Sequence, residues 1–487
     1  MKIAIIVGAE NKDFFQSIGA YLSKFYHSDV TFLVRNKYVK RYIEKKVDNL
    51  SEIILIDEYI VKNKETDLKL IARTIERDHN VTISSLIAQD RGLGQGYFFN
   101  TPYVPHIKRS SWGCVDKANS IASDYIKFVE LLSGKDVLIQ QYPEMLIKIA
   151  CDKVNCSSLS LVQSRFGSRY LWSDNNYLTS TELILKLQSE LETYTVETKC
   201  IYEKDSGGLK IINEVSFSLL SKFKKSLYVA YNETKKIVKG NFKKDSYIPY
   251  GWIPVAFRSW SNYNFLKKIS ISSNNLKNKK IIFWTMNLEP EVSLYLFSPE
   301  FSNAIEAIVW ISKSININTV IVIKEHPLAL GVRSKETYKA FSKMANVYLA
   351  DPASSSEMWL KKSSIVATIT GTIGYEAVYS KVPVISFGKH QLINYLPSVE
   401  YVTNFDETQI AIKKLLDVNK YDLSKSLVAL HRALLDQSFE ISFYTKQYLE
   451  EDEKSIIGKL SVDRLISSYP EIFKELVVQL NSKKNYN

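Results

Sequence analysis

Lys324 and His326 close one β-branched run, and Thr370-Gly371-Thr372-Ile373-Gly374 closes another. Lysine offers a point charge and histidine a directional N–H donor, and both suit a phosphate. A glycine turn that runs into a helix presents free backbone N–H groups and the positive end of the helix dipole to the same kind of anion. The hydroxyls of Thr370 and Thr372 add further donors. Ser354, Ser355 and Ser356 stand before another helical stretch; Ser355 is the binding candidate, although capping alone explains one such serine. Glu376 lies inside the helix after the glycine turn, where a carboxylate can take ribose hydroxyls, as in dinucleotide folds. In this order and at strand ends, these residues point to a nucleotide-sugar site rather than a satisfied core.

The reacting carboxylates are sought in two places. Glu289 and Glu291 follow the run IIFWTMN, and Glu144 follows DVLIQQ in the first half of the chain. One can serve as nucleophile or base and another as proton donor. Structural readings compete: Glu291 orienting a loop, Glu144 starting a helix. Arg165 follows another strand-like run and is a candidate for a substrate anion. Asp90-Arg91-Gly92-Leu93-Gly94-Gln95-Gly96 is GxGxG rather than GxGxxG, so it is no dinucleotide fingerprint. It reads either as a surface loop or as a cleft loop in which Arg91 meets an anionic substrate. No DxD, HExxH or cysteine cage is present, and no protein-held metal or further cofactor is expected. Lys, Arg, His and helix dipoles would then offset the charge of a leaving phosphate.

Elements that position these residues follow from the apolar pattern. Continuous β-branched runs at Lys280 onward, Thr319 to Ile323, Ile365 to Thr370 and Pro383 to Phe387 read as buried parallel strands joined by crossovers. A first series reads likewise at Lys2 to Val7, Asp29 to Val34, Glu52 to Ile56, Val81 to Ala88, Asp136 to Gln141 and Leu159 to Gln163. Strand and helix alternate in both, so the fold class is α/β with two doubly wound halves facing a cleft. The expected divisions are a Rossmann-like acceptor domain at 1–215, a basic aromatic helical insertion or linker at 216–278, a Rossmann-like nucleotide-sugar domain at 279–402 and C-terminal helices at 403–487.

The chain has 487 residues and a net charge of +12, with 45% hydrophobic and 24% charged residues. It is too long for one ordinary core, and its basic balance favours anionic partners. Lysines 222, 224, 225, 235, 236, 239, 243 and 244 cluster near Tyr228, Tyr231, Tyr247, Tyr250 and Trp252, before a loop expected at Ile248 to Pro254. Such a segment suits an anionic bilayer or glycan, or is a solvated lysine face. It holds no RNA-binding motif, and no nucleic-acid partner is expected. The four cysteines fit no zinc pattern, Met1 to Gly8 reads as a strand rather than a leader, and no apolar run spans a membrane. These features together suit a reduced cytoplasmic protein.

Three segments, Lys324-Glu325-His326-Pro327, Thr370-Gly371-Thr372-Ile373-Gly374-Tyr375-Glu376-Ala377 and Leu288-Glu289-Pro290-Glu291, resemble the capsule polysaccharide biosynthesis family of KpsC/KpsS-type Kdo transferases. The resemblance covers mainly Lys280 to Gly388, with a weaker echo from Asp90 to Trp172. It implies a GT-B fold, CMP-Kdo as donor and a lipid-linked glycan acceptor at the inner face of the membrane. It also implies that His326 and Thr370 to Thr372 hold the CMP phosphate. The family's QPE pattern stands here as Glu289-Pro290-Glu291, which matches at Glu291 and departs at Glu289. Retaining members imply a carboxylate nucleophile, with Glu291 the first candidate and Glu144 the second. The rival readings are a UDP-sugar epimerase and a non-catalytic glycan or nucleic-acid adaptor.

Overall fold

A computed structural model describes residues 1–46, 52–62, 67–90, 93, 113–177, 179–194, 224, 227–228, 231, 252–276, 278–287, 292–301, 303–331, 333–417, 420–441 and 451–477. The first lobe runs β1 (Lys2–Val7), α1 (Lys12–Tyr26), β2 (Asp29–Val34), α2 (Lys37–Glu44), β3 (Glu52–Leu55), α3 (Leu68–His79), α4 (Ile83–Gln89), α5 (Cys114–Leu132), β4 (Val137–Gln141), α6 (Met145–Lys153), β5 (Ser157–Gln163), β6 (Arg169–Ser173) and α7 (Thr181–Glu192). Helix α8 (Trp252–Ile269) leads to the second lobe. That lobe runs β7 (Lys280–Thr285), α9 (Val292–Phe297), α10 (Ile305–Ser314), β8 (Thr319–Lys324), α11 (Lys335–Ser342), β9 (Val347–Leu349), α12 (Ser356–Lys362), β10 (Ile365–Thr368), α13 (Ile373–Tyr379), β11 (Val384–Ser386), β12 (Val399–Tyr401) and α14 (Phe405–Leu416). Helix α15 (Lys420–Gln437), strand β13 (Phe439–Glu440) and α16 (Glu451–Ser468) follow, with β13 and α16 returning to the first lobe.

The fold is α/β with two sheets. The first has the order β13-β6-β5-β4-β1-β2-β3, with β1 to β5 parallel and β6 and β13 antiparallel at one edge. The second has the order β12-β11-β10-β7-β8-β9 and is parallel throughout. Each sheet grows outward from its first strand in one direction, then resumes on that strand's other side. The reversals fall between β1 and β4 and between β7 and β10. Adjacent chains leave such a point toward opposite faces, and a crevice opens at the carboxyl ends of the two strands.

Alternate residues of each buried strand serve opposite cores. In the second sheet Ile281, Phe283, Val322 and Val366 face one core, and Ile282, Trp284, Ile321 and Ile365 the other. The first of these cores also takes Val162, Phe166, Leu171, Leu183 and Leu187 from the first lobe, so the lobes share a hydrophobic layer. The C-terminal helices divide between the lobes. Helix α14 packs on α10 and β11, whereas α16 packs on α1, and Val462, Leu465 and Phe473 join the core around Phe14 and Ile18. Arg169 holds the returning chain by donating to the Ser438 hydroxyl at 2.9 Å and its carbonyl at 2.6 Å.

Several sequence expectations need correction. Val81 to Ala88 is not a strand but helix α4, started by Thr82, whose hydroxyl accepts from the Ser85 N–H. Pro254 lies within α8 rather than in a loop; in the first turn its missing N–H costs no intrahelical bond. Within the C-terminal helices expected at 403–487, the chain turns at Pro470 and is helical again over 474–477, and 478–487 lie outside the described residues. Most of the basic insertion is also outside them; within it Lys224, Leu227, Tyr228 and Tyr231 are helical and exposed.

Candidate functional site

At the second reversal, buried polar side chains tie three strand ends together. The Asn287 amide, two residues beyond β7, donates to the Thr370 hydroxyl beyond β10 at 2.9 Å. Glu325, the residue after β8, accepts from Arg333 Nε at 2.7 Å, from the Tyr338 hydroxyl at 2.9 Å and from the His326 backbone N–H at 2.7 Å. Arg333 Nη2 also donates to the Asn287 carbonyl at 2.7 Å, which links the β7 and β8 ends. The side chains of Arg333 and Glu325 are only 4% and 1% exposed. Burying two charges is costly, and breaking such a pair leaves an uncompensated charge. Burial and the Glu325 charge push the Tyr338 hydroxyl far up, so it remains a donor.

His326 is half-buried at the rim of this network, and its carbonyl starts the 3₁₀ turn Pro327–Ala329 by accepting from the Ala329 N–H at 2.9 Å. Lys324 is not an open strand-end cation. Its ammonium is buried and donates to the Pro352 carbonyl at 3.2 Å, and burial lowers its pKa against the pull of Glu325 and Asp351. Thr370 is buried, Gly371 half-buried and Thr372 exposed. The Gly371 N–H, expected to face an anion, donates to the Thr368 hydroxyl at 2.9 Å. A Cβ on Gly371 would come within 2.8 Å of that hydroxyl, so close approach explains this glycine. Glu376 is half-buried on α13, which has seven residues. Ser355 caps α12 by accepting from the Met358 N–H at 3.1 Å, and Ser354 accepts from the Trp359 indole at 2.8 Å. Capping and packing thus employ these serines already.

From the first lobe, Arg165 and Phe166 reach the second. Arg165 has φ 61°, is half-buried, and acts electrostatically on the Tyr375 hydroxyl of α13, opposing the rise that burial causes there. Phe166 stacks on Tyr379 at 5.6 Å and meets His431 edge-on at 5.3 Å. Tyr177, beyond β6, stacks on His390, beyond β11, at 3.6 Å and 8°. Burial, helped by Lys389, lowers the His390 pKa. The two lobes therefore meet through these side chains, and α4 also packs against α9.

Glu144 is brought to the same side but has a partner of its own. Both its oxygens accept from Arg35 Nη2, at 2.8 and 3.0 Å, and the Glu144 charge raises the Arg35 pKa. Glu289, Glu291 and Arg91 lie outside the described residues. Among the described residues no three His, Cys, Asp or Glu side chains converge as a metal site, and no helix is long and apolar enough to cross a membrane. Buried Cys151 and Cys156 are free thiols, and a hydrogen bond with Cys156 together with burial raises the Cys151 pKa. Sequence reading missed Asn287, Arg333, Tyr338, Arg35, Tyr177 and His390. Asn287 alone carried a signal, as a polar residue just beyond a buried strand.

This architecture is that of an α/β protein with two Rossmann-like lobes and a buried polar network at the second lobe's reversal. Residues 233–392 match the capsule polysaccharide biosynthesis protein family, which is the family the motifs resemble. No curated protein matches the chain. Among solved structures, Thermosulfurimonas dismutans KpsC, a beta Kdo 2,7 transferase, is 14% identical over 69% of this chain and 89% of its own, with a TM-score of 0.34. The UDP-GlcNAc 2-epimerase of Neisseria meningitidis bound to UDP-GlcNAc is 12% identical over 96% and 100%, with a TM-score of 0.26. That of Methanocaldococcus jannaschii in complex with UDP-GlcNAc and UDP is 13% identical over 90% and 100%, with a TM-score of 0.30. These scores correspond to a loose overlap of the backbones.

Proposed function

We propose that this protein is a glycosyltransferase of surface polysaccharide synthesis. It moves Kdo, or a related ulosonate, from its CMP conjugate to a lipid-linked capsule or lipopolysaccharide precursor on the cytoplasmic side of the membrane. The observation that carries this reading is the locked polar network at the β7/β10 reversal, within the segment that matches the capsule family. A site fixed by buried bonds does not reorganise when charge develops, which is the property that stabilises a leaving phosphate.

In this proposal His326, Thr370 and Thr372 bind the CMP phosphate, and Glu376 takes the ribose. Lys324 acts from beneath the surface as a supporting charge. Glu291 supplies the reacting carboxylate, Glu289 flanks it, and Arg91 and Arg165 meet the substrate's anionic groups. Thermal melts of the full chain with CMP, UDP, GDP and ADP test the donor. A ligand at about 100 times its Kd adds about 2.7 kcal/mol of stability, and the expected result is stabilisation by CMP alone. Interconversion of UDP-sugars without acceptor would instead establish an epimerase.

A further inference from the structure

We propose that a pocket where α7, α15 and α16 meet is a second ligand site, which takes a phosphorylated sugar or polyol. It shares no residue with the β7/β10 reversal and does not depend on the transferase reading above. The pocket has a volume of about 480 Å³ and is lined by Lys186 and Glu190 of α7, Arg432, Leu435 and Asp436 of α15, and Arg464 of α16. That volume lies in the range of small-molecule sites. Residues 186 and 190 are one helical turn apart, as are 432 and 436, so each pair shares a helix face. The opposite faces of α7 and α15 are buried: Leu183, Leu187, Leu430 and Leu434 lie in the core that the lobes share. Helix α16 is held separately, by Val462 and Leu465 in the core of the first lobe. The pocket thus sits at the lobe junction, on three helices anchored in two cores.

Three cations face two carboxylates there. Glu190 stands between two of them, with one oxygen 2.8 Å from the Lys186 ammonium and the other 3.6 Å from Arg432 Nη1. The Lys186 pKa is raised, first by its hydrogen bond to Glu190 and further by the charges of Glu190 and Asp436, while burial and Arg432 oppose the rise. Lys186 and Arg432 therefore repel each other across the pocket, and an anion between them would relieve that repulsion. Arg464 donates from Nη1 to the Asp436 carbonyl at 3.4 Å, which is long for an N–H···O bond, and its other N–H groups have no partner among the described residues. Two guanidinium forks and an ammonium suit phosphate oxygens. A bare phosphate would also meet the carboxylates of Glu190 and Asp436, and would be repelled by them. A phosphate ester with hydroxyl groups uses both signs of charge, because carboxylate oxygens accept from hydroxyls. Leu435, 41% exposed, adds a surface for C–H groups.

The test uses the full chain, with glucose phosphate (the ester at the primary hydroxyl) as the probe and calorimetric titration as the readout. Glucose and inorganic phosphate are the controls. Glucose phosphate is expected to bind the wild type at least about tenfold more tightly than either control, and to bind folded His326→Ala as tightly as the wild type. Arg464→Gln and Lys186→Gln are each expected to weaken it by about tenfold or more. No binding to the wild type, unchanged affinity in either glutamine variant, or equally tight binding of inorganic phosphate would overturn the inference. Loss of binding in folded His326→Ala would place the probe in the second lobe and overturn it as well.

Discussion

The two reversals share a design and differ in burial. Each joins its central strands by an asparagine amide, Asn11 to Gln141 and Asn287 to Thr370. The second lobe encloses its ion pair, with Arg333 and Glu325 at 4% and 1% exposure, whereas Arg35 and Glu144 stand at 48% and 52%. A buried pair is rigid and sensitive to loss; an exposed pair can exchange partners with a ligand. The difference gives the second lobe a fixed polar network and leaves the first lobe's pair open to water.

The largest contrast is expected from removing one member of each ion pair. Arg333→Leu leaves Glu325 buried without its guanidinium, and denaturant unfolding should show a loss of about 3–5 kcal/mol. Arg35→Leu should cost less than about 1 kcal/mol in the same measurement, because water screens that pair. Equal losses would break the comparison. Glycine substitution is next. A Cβ on Gly388 would fall 2.1 Å from the Ile369 carbonyl, whereas one on Gly8 meets nothing nearer than the Asn11 amide oxygen at 3.3 Å. Gly388→Ala should lower stability by about 1–3 kcal/mol, and Gly8→Ala by clearly less.

Thr370→Val keeps the shape and leaves the Asn287 amide without that acceptor, for an expected cost of about 1–3 kcal/mol by thermal melting. The smallest effect concerns pH. The folded-state pKa of His390 lies below its ordinary value of 6.5, because burial opposes the charged ring. The unfolded chain then binds the proton more readily. Stability from this group is full above the unfolded value and is lost as pH falls through the folded one. His390→Phe, which preserves a ring against Tyr177, should reduce the drop in melting temperature between pH 7.5 and a pH below 6. An unchanged drop would remove His390 from the acid response.

Much of the architecture was legible because buried parallel strands are continuous apolar runs, as in Lys280–Thr285 and Thr319–Lys324. Ile83 to Gln89 misled because periodicity cannot separate a short buried strand from a short buried helix. The Thr82 cap decided for helix. In the site, His326 and Thr370 were legible because each follows a strand. Arg333 and Tyr338 were not, since the bonds to Glu325 span eight and thirteen residues and form only once α11 has packed. Arg35 and Glu144 are 109 residues apart, and only the strand order β4-β1-β2 brings them together. For the serines of 354–356 the capping alternative is what the fold displays: Ser355 caps α12 and Ser354 accepts from the Trp359 indole.

The central claim is that the β7/β10 reversal binds the nucleotide of an activated sugar. Calorimetric titration of CMP into the wild type, His326→Ala and Glu144→Gln tests it most directly. Binding to the wild type and to Glu144→Gln, with loss of about a hundredfold or more in affinity for folded His326→Ala, is the expected result. Equal CMP affinity in all three proteins would contradict it.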